Sequence, residues 1–221
     1  MANFTQAEII EEIDYERRET NSKFISRERT KQLLNRAVKT ILREPGIRTI
    51  PAQQTLNTAG NTTKFLLNTN FKEVISIWSG EGLASGVQFR YLPVDDFNRA
   101  VSGYWYTFRD NGYIELKFPD SSDLPSSNIT MRYWSKDIIL DQDGTTLKRK
   151  WENDSDTSAL PEEFDEFYIE WPVSNILRRE GKAEWKDRLA VAKQVLDQLK
   201  EESGNKTRRT SPSFGHYKFL G

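Results

Sequence analysis

The sequence contains no cysteine and a single histidine among its 221 residues. The absence of cysteine excludes disulfide scaffolds, thiolate zinc sites, iron–sulfur clusters and cysteine nucleophiles. Catalytic triads and histidine metal sites would all depend on His216, which lies close to the end of the sequence. We therefore expect no catalytic residue, no metal site and no cofactor, and we do not expect an enzyme.

A strong net charge and long apolar runs are also missing. The 32 Lys and Arg residues nearly balance the 33 Asp and Glu residues, and the net charge of -1 disfavours a general nucleic-acid binder. No apolar run approaches the roughly 18 residues of a membrane-spanning helix. The first residues lack the basic and then apolar layout of a signal peptide. We expect a soluble protein of a reducing compartment that does not bind membranes.

Residues 1–46 predict two helices of a helical domain. Thr5 followed by Glu8 is a capping-box pattern, so a first helix begins there and ends before Thr20. Ser26 is a candidate N-cap of a second helix, which Pro45 terminates. The apolar stripes of the two helices consist of Ile9, Ile10, Ile13, Leu33, Leu34, Ala37, Val38, Ile41 and Leu42. The polar face of the second helix is interpreted as solvated and carries Arg27, Arg29, Lys31, Arg36, Lys39 and Arg43.

The apolar period changes from helical to two over residues 47–140. Short runs rich in aromatic and β-branched residues alternate there with Gly, Asn, Ser and Pro. This spacing predicts an inserted antiparallel β domain, folded as a sandwich or small barrel. The predicted strands cover residues 62–68, 71–78, 87–92, 104–109, 113–118 and 128–134.

The sequence predicts the register of one hairpin in this domain. A two-residue turn at Asn111 and Gly112 would mix apolar and polar positions on each face. A three-residue loop over 110–112, with Gly112 left-handed, separates them. The apolar face then pairs Tyr104, Tyr106 and Phe108 with Phe118, Leu116 and Ile114. The other face pairs Trp105, Thr107 and Arg109 with Lys117, Glu115 and Tyr113. Trp105 is therefore either a lone surface aromatic or a contact for another chain.

A helical hairpin is predicted over residues 160–203. Pro161 and the acids that follow it open the first helix, because proline and negative charge are both favourable in a first turn. Pro172 is expected to kink this helix. After Gly181 a second helix carries an apolar stripe and should stop near Ser203.

Two segments beside this hairpin lack a clear period. Residues 141–159 are polar and turn-rich, which predicts a loop or extended arm, and residues 204–221 are predicted to form an extended C-terminal arm. The whole pattern predicts an α+β protein. In it the N- and C-terminal helices form a helical bundle, and the antiparallel β domain is inserted between them.

The near-zero net charge hides a separation of charge along the chain. Eight acids and no base lie between residues 152 and 170, whereas residues 203–221 contain four bases and no acid. Such a separation favours ordered association between a basic, aromatic arm and an acidic surface. The candidate arm contacts are Arg208, Arg209, Phe214, Tyr217 and Phe219. The candidate acidic surface consists of Glu162, Glu163, Asp165, Glu166 and Glu170. The candidate interface residues of the β domain are Trp78 and Trp105.

The order of these parts resembles the phage head-to-tail connector proteins, also called portal adaptors. The similarity covers roughly residues 1–45 and 158–202. It rests on an early helix with the sequence RTKQLLNRAV, on the helix start formed by Leu160, Pro161 and Phe164, and on Gly181 and Lys182 before the last helix. The β region departs from the compact all-helical adaptors and is closer to the larger adaptors of short-tailed phages.

The resemblance implies a non-enzymatic structural protein of the virion at the head–tail interface, assembled in the host cytoplasm. Such adaptors form a homo-oligomeric ring, typically of about twelve copies, under the portal protein. The ring extends the DNA channel, which DNA passes without sequence-specific binding, and it presents a platform for the next tail protein, which is a stopper, nozzle or tail tube.

The resemblance also implies roles for the candidate residues. The basic arm would dock on the portal or a neighbouring subunit, and the acidic positions would line the channel. Two alternatives remain open from the sequence. One is a carbohydrate- or receptor-binding β module, and the other is a different virion component such as a tail terminator or baseplate adaptor.

Overall fold

The fold is described from a computed structural model. It covers residues 3–20, 22, 25–58, 62–79, 86–109, 112–119 and 129–210, with residues 203–210 described by their backbone alone. The chain divides into a helical unit, Met1–Arg48 with Ile138–Gly221, and a β unit, Thr49–Asp137. The architecture is α+β with helices at both ends and mainly antiparallel sheets in the middle, which confirms the predicted fold class.

The helical unit begins with two helices whose caps follow from the sequence. Helix α1 spans Gln6–Glu19. The Thr5 hydroxyl accepts a hydrogen bond from the Glu8 N–H at 3.3 Å, and the Glu8 carboxylate accepts one from the Thr5 N–H at 2.7 Å. Helix α2 spans Arg27–Arg43 and begins after Ser26, whose hydroxyl accepts the Arg29 N–H. Both predicted caps are confirmed. The predicted apolar stripes are buried, apart from the half-buried Leu42.

Residues 141–159 contain short strands instead of the predicted loop or arm. Ile139–Leu140 (β8) pairs with Leu147–Lys148 (β9) on one side and with Thr157–Ser158 (β10) on the other. The carboxylate of the fully buried Asp156 accepts a hydrogen bond from the Lys148 ammonium at 2.8 Å. It also accepts hydrogen bonds from two backbone N–H groups of the same loop. Strands of two residues are too short to show an apolar period. The sequence of a polar segment that is held by a buried ion pair therefore resembles that of a loop.

Two further helices complete the helical unit. A 3₁₀ turn at Glu162–Phe164 leads into α4 (Asp165–Arg179), which continues through Pro172, and α5 (Trp185–Thr210) packs against α4. Helix α5 runs past the predicted stop near Ser203, so residues 204–210 are helical and not part of an extended arm. A single glycine inside a helix costs only about 1 kcal/mol, which is too little to end a long helix.

The β unit consists of two sheets that share one core. The first has the order β1-β7-β3 and the second the order β2-β6-β5-β4, in which β4 runs parallel to β5. Each of the six predicted runs contains a strand, whereas β1 was not predicted. The strands are Pro51–Leu56 (β1), Lys64–Leu66 (β2), Phe71–Ser79 (β3), Arg90–Tyr91 (β4), Trp105–Arg109 (β5), Tyr113–Lys117 (β6) and Ile129–Ser135 (β7), and the short helix α3 spans Val94–Arg99. The buried core consists of Leu56, Phe65, Ile77, Phe89, Ile114, Leu116, Phe118, Ile129, Met131 and Tyr133.

The β5–β6 hairpin has the predicted register. Phe108 lies opposite Ile114, Thr107 lies opposite Glu115, and Gly112 has a φ of 77°. A two-residue turn is therefore excluded.

Candidate interaction surfaces

The acidic positions predicted at the start of the helical hairpin divide into exposed and buried groups. Glu162, Glu163 and Glu166 are exposed. Asp165 and Glu170 are buried, with only 4% and 7% of their surface exposed. These two were wrongly assigned to the acidic surface, because α4 turns their side chains toward the interior of the helical unit.

Asp165 holds the segment that precedes α1. Its Oδ2 accepts the backbone N–H of Phe4 at 2.8 Å, whereas its buried Oδ1 has no hydrogen-bond partner among the residues described. Burial raises the pKa of Asp165 to about 6; the hydrogen bond from Phe4 opposes this shift, and the negative charges of Glu162 and Glu8 add to it. Asp165 is therefore an internal group that positions the N-terminal segment.

Arg188 on α5 joins three helices through two carboxylates. One guanidinium nitrogen, Nη1, contacts Glu170 of α4 at 2.6 Å, and Nη2 contacts Glu16 of α1. Burial raises the pKa of Glu170, and the charge and hydrogen bond of Arg188 oppose that shift. Because Arg188 pairs with both Glu170 and Glu16, Glu170 helps to hold the helical hairpin against α1 inside the helical unit.

The outward face of α1 is acidic and carries one exposed aromatic residue. Glu8, Glu12, Tyr15 and Glu19 are all exposed, with 55% of the Tyr15 surface accessible. Their spacing of four, three and four residues places them on one side of the helix, opposite the buried isoleucines. We call Glu8, Glu12, Tyr15 and Glu19 the acidic row.

The outward face of α2 is basic. Arg36, Lys39 and Arg43 are exposed at spacings of three and four residues, and their side chains form no hydrogen bond or ion pair with the residues described. By contrast, Arg27 and Lys31 of the same helix both pair with Asp154, at 3.0 and 2.9 Å. We call Arg36, Lys39 and Arg43 the basic row. The structure distinguishes these three unpaired residues from the other bases of a face that the sequence marks only as solvated.

Helix α3 covers much of the polar face of the β5–β6 hairpin. The Lys117 ammonium lies 4.8 Å from the centre of the Phe97 ring and donates to the Ala100 carbonyl at 2.8 Å. Trp105, opposite Lys117, is half-buried, and its indole N–H donates to the Ser102 carbonyl at 2.9 Å. Neighbouring residues of the β unit therefore cover part of the Trp105 side chain.

An exposed apolar pair lies on the same sheet, at positions that the sequence did not single out. Leu66 of β2 and Tyr113 of β6 are directly opposite each other, with 59% and 40% of their surfaces exposed. Trp78 on β3 is half-buried, and its indole N–H is buried without a partner among the described residues. The apolar pair could have been found from the strand register only if β2 had been aligned with β6.

The predicted arm contacts fall in two regions. Arg208 and Arg209 lie in the last turn of α5, where positive charge is favourable at the carboxyl end of a helix. Phe214, Tyr217 and Phe219 lie outside the described residues.

The described ranges contain neither a cluster of metal ligands nor a membrane-spanning helix. No group of three or more His, Cys, Asp or Glu side chains in these ranges could hold a metal ion. No helix among them combines the length and apolar character needed to cross a membrane.

The charged outward faces of α1 and α2 can attract surfaces of opposite charge on other chains. A sequence model of the SU10 adaptor protein family matches residues 5–213. The chain therefore belongs to this family of phage adaptor proteins, whose members are structural components of the virion. The resemblance drawn from the order of the helices is confirmed, and the match also spans the β unit. No curated protein sequence matches the chain significantly.

Proposed function

We propose that this chain forms a ring of about twelve copies beneath the portal of a tailed phage. The ring extends the DNA channel and gives the next tail protein a surface to bind. The observation that carries this proposal is the family match, which covers residues 5–213 and therefore both units. The charged outer faces of the helical unit support it, because ring subunits need complementary lateral surfaces.

The end of α5 and the residues beyond it form the proposed portal contact. Arg208 and Arg209 lie near the end of a helix of 26 residues, which is about 39 Å long at 1.5 Å per residue. Phe214, Tyr217 and Phe219 add aromatic side chains, which are favoured at the centres of interfaces. This segment docks on the portal or on an adjacent subunit.

The exposed acids Glu162, Glu163 and Glu166 are the proposed lining of the channel. Negative side chains repel the phosphates of DNA and so allow the duplex to pass without being held. Asp165 and Glu170 do not belong to this lining, because they are buried.

The β unit supplies the proposed contact with neighbouring subunits or with the next tail protein. Leu66 and Tyr113 offer the exposed apolar area, and Trp78 and Trp105 present the accessible parts of their rings. Exposed apolar groups of this kind bury well against another protein surface.

Imaging of the purified chain mixed with the portal of the same phage tests the proposal. We expect a coaxial ring on the portal, with the isolated chain monomeric or weakly associated at the same concentration. Portal alone and chain alone are the controls. Absence of any complex with the portal would refute the proposal, and binding to a tail tube or baseplate instead would assign the chain to another place in the virion.

A second candidate function is sugar binding by the β unit. Tyr91 is 53% exposed, and its ring centre lies 5.6 Å from that of Tyr106, so an aromatic surface is available for stacking. A glycan array tests this candidate, and an array without hits would remove it.

A further inference from the structure

Two exposed rows of opposite charge lie on different helices of the helical unit. The basic row on α2 extends from Arg36 to Arg43, a rise of about 10 Å along the helix, and the acidic row on α1 extends from Glu8 to Glu19, a rise of about 16 Å. The acidic row is therefore long enough to face all three bases, Arg36, Lys39 and Arg43.

We propose that the basic row of one copy docks on the acidic row of a neighbouring copy. This contact is the lateral interface of the ring, so the inference rests on the proposed function and deepens it. The docking surface is heterologous, because the two rows are different patches of the same chain, and a heterologous contact generates a ring when its rotation closes.

Charge complementarity between the two rows makes a second copy of this chain the partner of each row. Arg36, Lys39 and Arg43 have no ion-pair partner among the residues described, and Glu12 and Glu19 are likewise exposed without one. Opposed rows of unlike charge attract and fix the register of two surfaces, whereas like charges in the same positions repel.

Tyr15 gives the acidic row an apolar centre. More than half of its surface is exposed, and it lies between Glu12 and Glu19 on the same side of α1. An arginine that pairs with a flanking carboxylate can also stack its guanidinium on this ring. The basic row of a second copy can thus pair with the carboxylates of the acidic row and also stack on Tyr15.

Charge reversal on each row tests the contact. The basic-row variant is Arg36→Glu/Lys39→Glu/Arg43→Glu, and the acidic-row variant is Glu12→Lys/Glu19→Lys, which leaves the capping residue Glu8 intact. Each variant alone should need at least about tenfold more protein to form rings on the portal, because like charges then face each other. An equimolar mixture of the two variants, or one chain carrying all five changes, should restore assembly.

The matched control is Lys186→Glu/Lys193→Glu, which reverses two exposed bases of α5 outside both rows. It should assemble as the wild type does, and circular dichroism should show equal folding of all variants. Rings that form normally from the single-row variants would overturn this contact while leaving the proposed function intact. Rings that form normally but lose affinity for duplex DNA would overturn it in favour of DNA binding by α2. Failure of the wild type to form any ring would instead refute the proposed function, and this contact with it.

Discussion

The Asp165 carboxylate accepts the backbone N–H of Phe4 at 2.8 Å, which ties the start of the chain to the first turn of α4. The two residues are separated by most of the sequence, and the contact places a carboxyl group where water cannot solvate it well. Burial accordingly raises its pKa to about 6, from an ordinary value of 3.8. The group that fixes the N-terminal segment is therefore ionised at neutral pH at a cost in stability.

Replacing this carboxylate should change how stability depends on pH. Because the folded state holds the proton more tightly than the unfolded state, the contribution of Asp165 is present below about pH 4 and is lost as pH rises through 6. Asp165→Asn keeps an oxygen to accept the Phe4 N–H but carries no charge. Relative to the wild type, we expect the variant to gain about 1–2 kcal/mol of unfolding free energy between pH 4 and pH 7. Urea unfolding across this range measures the difference.

Glu163→Gln is the matched control for that experiment, because Glu163 is an exposed carboxylate near the same turn. Its side chain carries the same charge but is exposed, so this variant controls for the loss of one negative charge beside the first turn of α4. A difference between Asp165→Asn and the wild type that stays constant from pH 4 to pH 7 would contradict the assigned role of burial.

Arg188 forms ion pairs with Glu170 and Glu16, so removal of its guanidinium should lower the stability of the protein. Arg188→Met leaves the buried carboxylate of Glu170 without its cation, and we expect the free energy of unfolding at pH 7 to fall by about 2 kcal/mol. Adding Glu170→Gln should recover much of this loss, because the uncompensated charge is then gone. Chemical denaturation of the single and double variants measures both effects. Arg179→Met, at an exposed position on α4, should have little effect.

Two glycines with positive φ should respond differently to alanine. Gly112 has a φ of 77° and no atom near the position of an added Cβ, so Gly112→Ala should cost only about 1 kcal/mol of backbone strain. Gly103 has a φ of 131°, and a Cβ there would overlap the indole of Trp105. Gly103→Ala should therefore cost more, about 2–4 kcal/mol, and should change tryptophan fluorescence. Equal costs for the two variants would show that the indole is not packed on Gly103.

Two truncations separate the end of α5 from the residues beyond it. Removal of residues 211–221 keeps the whole described helix, and we expect this truncation to lose binding to the portal. Removal of residues 204–221 also deletes the helical turns that carry Arg208 and Arg209. If the shorter truncation still binds the portal, the aromatic residues beyond Thr210 are not the contact. Thermal melts and portal co-sedimentation distinguish these cases.

Local rules were sufficient wherever one short segment determines its own structure. Thr5 and Glu8 cap α1 because the partners are three residues apart, and the β5–β6 register follows from the need to keep apolar residues on one face. The same rules failed at Ser203, where a weak breaker lies in a long helix. They also failed at the strands of two residues, β8, β9 and β10, which are too short to show a period.

Contacts between distant segments determine whether an individual charged residue is buried, paired or exposed. Asp165 and Glu166 are adjacent acids, yet the first is buried and accepts a hydrogen bond from the Phe4 N–H, whereas the second is exposed. On α2, Lys31 pairs with Asp154 whereas Arg36 has no partner among the described residues, a distinction that no pattern along the helix contains. Leu66 and Tyr113 likewise become neighbours only through the pairing of β2 with β6.

The sequence by itself determined the α+β class, the helix caps, one hairpin register and the membership of a phage adaptor family, because periodicity, capping and order of parts are written along the chain. Only the tertiary structure decided which carboxylates are internal and which charged rows face outward. The physical reason is that burial and ion pairing depend on distances between residues that the chain brings together from far apart.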